Sequence, residues 1–266
     1  MNRVLLRLVP AAVAVGALVP ATFALSGTPL QGERMLPDLD QEAPSGLLIT
    51  PSPRGWQLGF ASAVRNVGAG PLIIDGHRIS RTEETMSAQQ LIRRTAGPSE
   101  VAHDVGRLRY VRSPDHQHWH LLHFDRYELR RPGADRPLVR DRKSGFCLGD
   151  RYGVTDPALA AKPPKPVFRT RCGLERPGLN GVREGISVGY GDDYAANLEG
   201  QYLRLSGLKA GRYLLVHRAN AARRLLESSY ANNAASLLLR LRWRRGTPRM
   251  RILAVCPDAP RCAVRR

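Results

Sequence analysis

Four of the seven histidines fall inside eight residues, in the run Asp115-His116-Gln117-His118-Trp119-His120-Leu121-Leu122-His123, and three of them alternate strictly. Neutral imidazole is the commonest protein ligand for copper, zinc and iron, and a set of three leaves coordination positions open for water, oxygen or substrate. His116, His118 and His120 are therefore candidate ligands of a metal that performs chemistry rather than one that staples a fold. On a regular strand, residues i, i+2 and i+4 share a face but spread over roughly 13 Å. The segment must bend, bulge or run into a loop for the three rings to converge. Trp119, between two ligand positions, points away and packs in the core. His123 breaks the alternation and is expected behind the ligands rather than among them. The competing reading is a polar histidine face that binds nothing.

Of 41 basic side chains only four are lysines, Lys143, Lys162, Lys165 and Lys209. Lys162 and Lys165 lie in the Pro-rich run 161–166, read as an exposed connector, and Lys209 in a Gly-bounded turn. Lys143 differs, because it stands four residues before Cys147 and shortly after the histidine run. A desolvated lysine amine can lose its proton and act as a nucleophile, which a guanidinium cannot.

The elements that must position these groups read as strands. Residues 56–65 alternate apolar with small or polar side chains, and Asn66–Gly70 supplies a turn before 71–76, which together read as a hairpin. Further strands are expected at 108–112, 119–129, 202–205, 211–218 and 235–243, and helix only over 83–94. The long, Pro-rich, poorly periodic stretch 149–186 reads as functional loops held by a disulfide. These features predict an all-β, sandwich-like catalytic domain with long loops and little helix.

Residues 1–26 have the basic start and apolar core of a secretory signal peptide, with cleavage after Ala24 or Ser26, and no later segment is apolar enough to span a bilayer. The expected organisation is a catalytic domain over 27–245 and a basic tail over 246–266 with a small disulfide loop. An exported chain with four cysteines suggests two disulfides, and the most local of the three pairings joins Cys147 to Cys172 and Cys256 to Cys262. The formal charge is +18, with Arg3 and Arg7 in the leader. That charge points to a polyanion, but without aromatic-interleaved recognition segments nucleic acid is disfavoured against an anionic cell-surface polymer, with 240–266 the best adhesive segment.

Several ordered segments resemble the catalytic domain of the lysyl oxidase family, in its compact, microbial-type form. They are the histidine run continuing to Leu129, Lys143–Asp150, Gly185–Ala196, Leu208–Tyr213, Glu227–Asn233 and, upstream, Pro37–Leu39. The resemblance implies that His116, His118 and His120 bind copper, and that Lys143 and Tyr194 fuse into lysine tyrosylquinone. It also implies the Cys147–Cys172 pair, and Asp192 as a catalytic base, with Asp193 adjacent. A calcium site is implied at Asp38, Leu39, Glu227, Asn232 and Asn233, where Ser229 replaces a family aspartate. Tyr190 is read as an aromatic core residue or pocket wall rather than a redox group.

The activity implied is a secreted, extracellular amine oxidase that turns primary amines, on lysine side chains or small molecules, into aldehydes with release of ammonia and hydrogen peroxide. The alternative from another class is a non-catalytic, metal-binding β-sandwich module attached to an anionic cell envelope. A zinc hydrolase is a third, and gives no role to Lys143 and Tyr194 together.

Overall fold

A computed structural model describes residues 32–113, 117–140, 145–198 and 200–262; residues 1–26, expected as a signal peptide, and His116, Lys143 and Glu199 lie outside the described residues. In chain order the first strands are β1 (Arg34–Met35), β2 (Leu39–Gln41), β3 (Ser45–Ser52), β4 (Gly55–Asn66), β5 (Leu72–His77) and β6 (Thr85–Arg94). Next come β7 (Glu100–Tyr110), β8 (Trp119–Leu122), β9 (Asp125–Arg130), β10 (Val139–Arg140), β11 (Gly145–Phe146) and β12 (Tyr152–Gly153). The last are β13 (Gly181–Ile186), β14 (Tyr190–Tyr194), β15 (Tyr202–Arg204), β16 (Gly211–Ala219), β17 (Ala234–Arg244) and β18 (Thr247–Cys256). Among the described residues there is no helix, and the fold is all-β as the sequence implies.

The strands make three sheets: β11-β8-β7-β6-β5-β13 with β1 on β6, β10-β9-β16-β17-β18, and β12-β14-β4-β15 with β2 and β3 on β4. One apolar core draws on all three, including Leu58, Phe60, Leu108, Trp119, Tyr127, Phe146, Leu215 and Leu239.

Two expectations need correction. Residues 85–94 are strand β6, not helix: Met86, Ala88, Gln90 and Ile92 alternate inward at period two. The polar member of that row, Gln90, is paid for by two hydrogen bonds with the Leu226 backbone (2.8 and 2.9 Å). Nor do β4 and β5 form a hairpin, since β5 pairs with β6 and β13 in a different sheet. Asn66 makes the intervening turn a corner: its Oδ1 accepts from Asp38 N and Gly68 N, and its Nδ2 donates to the carbonyls of Gly70 and Ile186.

Residues 247–256 form β18, paired along β17. The Cys256–Cys262 disulfide folds the following loop over Leu214, Val216 and Leu238 on the outer face of that sheet.

Candidate active site and cation site

Strand β8 lies between β7 and β11, with Trp119 opposite Tyr110, His120 opposite Arg109, and Leu121 opposite both Leu108 and Phe146. Trp119 is fully buried, edge-on to Tyr110 and beneath the Arg78 guanidinium, 4.7 Å from its ring. Period-two alternation then turns His118 and His120 to the opposite face. Their Nε2 atoms lie 2.7 Å apart. Two imidazole nitrogens that close repel unless one donates a proton or both lone pairs share a cation, so the pair fits a metal. His118 precedes the regular strand, held by its carbonyl to Val111 N, while Trp119 N donates to the Cys172 carbonyl. This departure from the ladder lets the two rings converge as the alternating run requires. His123 sits exposed at a left-handed residue (φ 59°) that ends the turn of β8 into β9.

Tyr194 closes β14, opposite Ser62 of β4. Its hydroxyl donates to the Cys147 carbonyl at 2.9 Å, and the Phe146 ring packs edge-on against it at 5.0 Å. Burial first, and then the charge and hydrogen bonding of Asp192, push the phenol well above its usual range. Asp192 shares the inward face of β14 with Tyr194 and is 1% exposed, whereas Asp193 faces solvent. Arg151 stands between Asp192 and the disulfide, its Nε 3.4 Å from Asp192 Oδ1 and its Nη2 3.4 Å from Cys147 Sγ. Both disulfides are as the local pairing expected.

Sequence reasoning passed over Glu184. It lies on the inward row of β13 between Val182 and Ile186, fully buried, and its carboxyl oxygens make no regular hydrogen bond among the described residues. A carboxyl oxygen lies within 4.8 Å of both sulfurs of the Cys147–Cys172 bond. Burial and then the charge of Asp192 raise its pKa well above the carboxylate range, against the pull of the Leu148 and Leu121 amides and Arg151. The sulfurs are bonded to each other, so this trio is not a thiolate metal site. An acidic residue at inward parity in an apolar strand was the signal available.

Two further expectations meet the structure. Tyr190 is buried in the apolar core, its hydroxyl donating to the Pro163 carbonyl. Lys162, read as exposed connector, instead donates to the Val154 carbonyl and lies 5.2 Å from the Tyr190 ring centroid.

The five residues expected at a second cation site also come together. Glu227 Oε2 accepts from Leu39 N, and its Oε1 accepts from Asn220 and Asn233. Asn232 Nδ2 donates to Asp38, and the Asn232 carbonyl accepts from Gln41 N. Burial pushes Glu227 up to about 7 against three hydrogen bonds that favour its ionised form. The Oδ1 atoms of Asn232 and Asn233 are buried without a hydrogen-bond partner among the described residues. Orphaned amide oxygens beside two carboxylates fit a hard cation. Ser229, in place of an acid, caps Ala231 N.

A family model described as lysyl oxidase matches residues 95–247, more than half of the chain. Protein-lysine 6-oxidase of Rattus norvegicus is 26% identical over 129 residues, 47% of this chain and 27% of that protein. Its Homo sapiens counterpart is 27% identical over 122 residues, 44% of this chain and 25% of that protein. Lysyl oxidase homolog 3 of Homo sapiens is 26% identical over 139 residues, 52% of this chain and 16% of that protein. The chain thus spans about a quarter, or less, of the length of these curated relatives.

Proposed function

Because the chain belongs to the lysyl oxidase family, we propose that it is a secreted, copper-dependent primary amine oxidase acting on lysine side chains or small amines. The balanced reaction takes a primary amine, dioxygen and water to an aldehyde, ammonia and hydrogen peroxide. The observation that carries the reading is the pairing of two converging imidazoles with a half-buried tyrosine that shares its strand face with a buried carboxylate.

His116, His118 and His120 would hold copper, and Lys143 and Tyr194 would be the two halves of lysine tyrosylquinone. Bound copper and that quinone supply a carbonyl electrophile and a two-electron sink that no ordinary side chain offers. The remaining work belongs to the chain. Before that fusion, the Cys147 carbonyl and the Phe146 ring fix the position of the Tyr194 side chain, and its raised pKa favours the protonated, donating phenol. Asp192 takes the proton from the carbon next to the substrate nitrogen onto a carboxylate oxygen. Arg151 steadies that carboxylate, and the raised pKa of Glu184 favours a single negative charge on the buried acid pair.

The calcium site at Asp38, Leu39, Glu227, Asn232 and Asn233 is read as structural. Secretion is supported by the leader-like start and two disulfides. No helix among the described residues is long and apolar enough to cross a membrane. The test is peroxide release and a redox-cycling quinone stain from copper-loaded protein with a panel of primary amines. Lys143→Arg and Tyr194→Phe should each abolish both signals. Full activity in both variants would discard the quinone reading.

A further inference from the structure

The outer face of the β9-β16-β17-β18 layer has two halves. Over one, Leu214, Val216 and Leu238 are covered by the Cys256–Cys262 loop, pinned by Ser236 Oγ to the Ala259 carbonyl and by Arg130 to that of Pro260. The other half is arginine. Arg212 stands opposite Arg240, Arg240 opposite Arg251, and Arg242 opposite Arg249, with Arg244 two residues beyond. All six are exposed, none makes an ion pair among the described residues, and β16, β17 and β18 contain no Asp or Glu.

Like charges directly opposite in a sheet destabilise it. Protection of a free edge accounts for Arg249 and Arg251 on β18. It does not account for Arg212, Arg240 and Arg242, whose strands are paired on both sides. An uncompensated cost in the folded chain points to compensation from outside. We propose that this face docks a base-free phosphodiester polymer of the polyol-phosphate class.

Three features select that partner. The Cα atoms of cross-strand arginine partners stand about 5 Å apart and rows repeat at about 7 Å along a strand, so long guanidinium side chains from neighbouring strands can reach a common ligand. Each pair can close on one tetrahedral phosphate from two sides, and a phosphodiester polymer repeats that charge along its backbone as the arginine rows repeat along the strands. The aromatic residues of these strands face inward, with Tyr213 in the core and Trp243 Nε1 on the Leu208 carbonyl, so the face offers bases no stacking platform.

The test uses the full chain and labelled poly(glycerol phosphate) of defined length, titrated across salt concentrations. The triple variant Arg240→Gln, Arg242→Gln, Arg249→Gln should bind at least tenfold more weakly, with a salt slope smaller by about 2. Its unfolding midpoint should hold or rise, because repulsion is relieved. The control Arg54→Gln, Arg93→Gln, Arg136→Gln removes the same charge from exposed sites elsewhere and should change affinity less than threefold. Equal losses in the two variants would reduce the effect to net charge and overturn the surface. Tighter binding of single-stranded DNA of equal charge, or of anionic lipid vesicles, lost in the same triple variant, would overturn the polyol-phosphate assignment. Binding needs no copper, so failure here leaves the amine oxidase reading standing, and oxidation of a small amine should be unchanged in the triple variant.

Discussion

Replacing Glu184 with Gln isolates the one fully buried carboxyl in the site that makes no regular hydrogen bond among the described residues. A solvated glutamate titrates near 4.5, and burial with the nearby Asp192 holds this one well above that. Between those limits the folded protein carries a proton that the unfolded chain has lost, so folding stability falls as pH rises. The sign is opposite to that of a salt-bridged acid. The loss is at most about 1.4 kcal/mol per pH unit within the window. For a domain of this size that corresponds to about 3–5 °C of unfolding midpoint per pH unit. Glu184→Gln keeps the shape and removes the titration. Thermal unfolding of metal-free protein from pH 4 to pH 8 should show midpoints that agree near pH 4 and diverge above about pH 5, the variant becoming the more stable. Groups common to both proteins cancel in the difference. Parallel curves would mean that Glu184 ionises as an ordinary carboxylate, and the single-charge picture of the Glu184–Asp192 pair would fall with it.

Three further outcomes are expected. A Cβ at position 145 would lie 2.7 Å from the Leu121 carbonyl and 2.9 Å from His120 Cβ. Gly145→Ala should therefore cost about 1–3 kcal/mol and weaken copper binding at least tenfold in a chelator competition; unchanged affinity would argue against His120 as a ligand. Calcium at a hundredfold excess over its dissociation constant should stabilise the wild type by about 2.7 kcal/mol in thermal unfolding, with the increment lost in Asn233→Ala; an equal increment in both would place the ion elsewhere. The net charge of +18, or +16 without Arg3 and Arg7 of the leader-like start, repels cationic amines at long range, so kcat/KM for small diamines should rise with ionic strength, and a steep fall would contradict the field argument.

What the sequence made legible follows from how locally each feature is encoded. The inward Trp119 and the strands at 202–204, 211–219 and 234–244 depend on alternation within a few residues, and the structure bears them out, whereas β18 falls where the sequence suggests only a basic tail. Strand β6 reads as helix, because Ala88, Gln89, Gln90 and Leu91 are good helix formers and the polar Gln90 masks a period-two inward row. That masking is tertiary: Gln90 is tolerated inside only because Leu226, distant in sequence, satisfies it. The false hairpin has a similar origin. Asn66 and Gly70 carry ordinary turn chemistry, but the partners that make a corner of it, Asp38 and Ile186, come from far along the chain. Asp192 and Asp193 could not be told apart until β14 had a register, which put one in the interior and the other in solvent.

Glu184 exposes a deeper limit, because its role depends on which groups three separate elements bring beside it. Cys147 is the junction. Its carbonyl holds Tyr194, its sulfur faces Arg151, and its bond to Cys172 reaches the residue whose carbonyl accepts from Trp119 N, between the two described histidines. The disulfide thus ties the strand bearing the imidazoles to the strand bearing the phenol. Arg151 and Glu184, placed against the same sulfurs, set the charge that Asp192 feels. A displacement on either side of this bond is transmitted to the other through closely packed side chains rather than through solvent. The same junction that secures the loop therefore fixes the electrostatics of the candidate base.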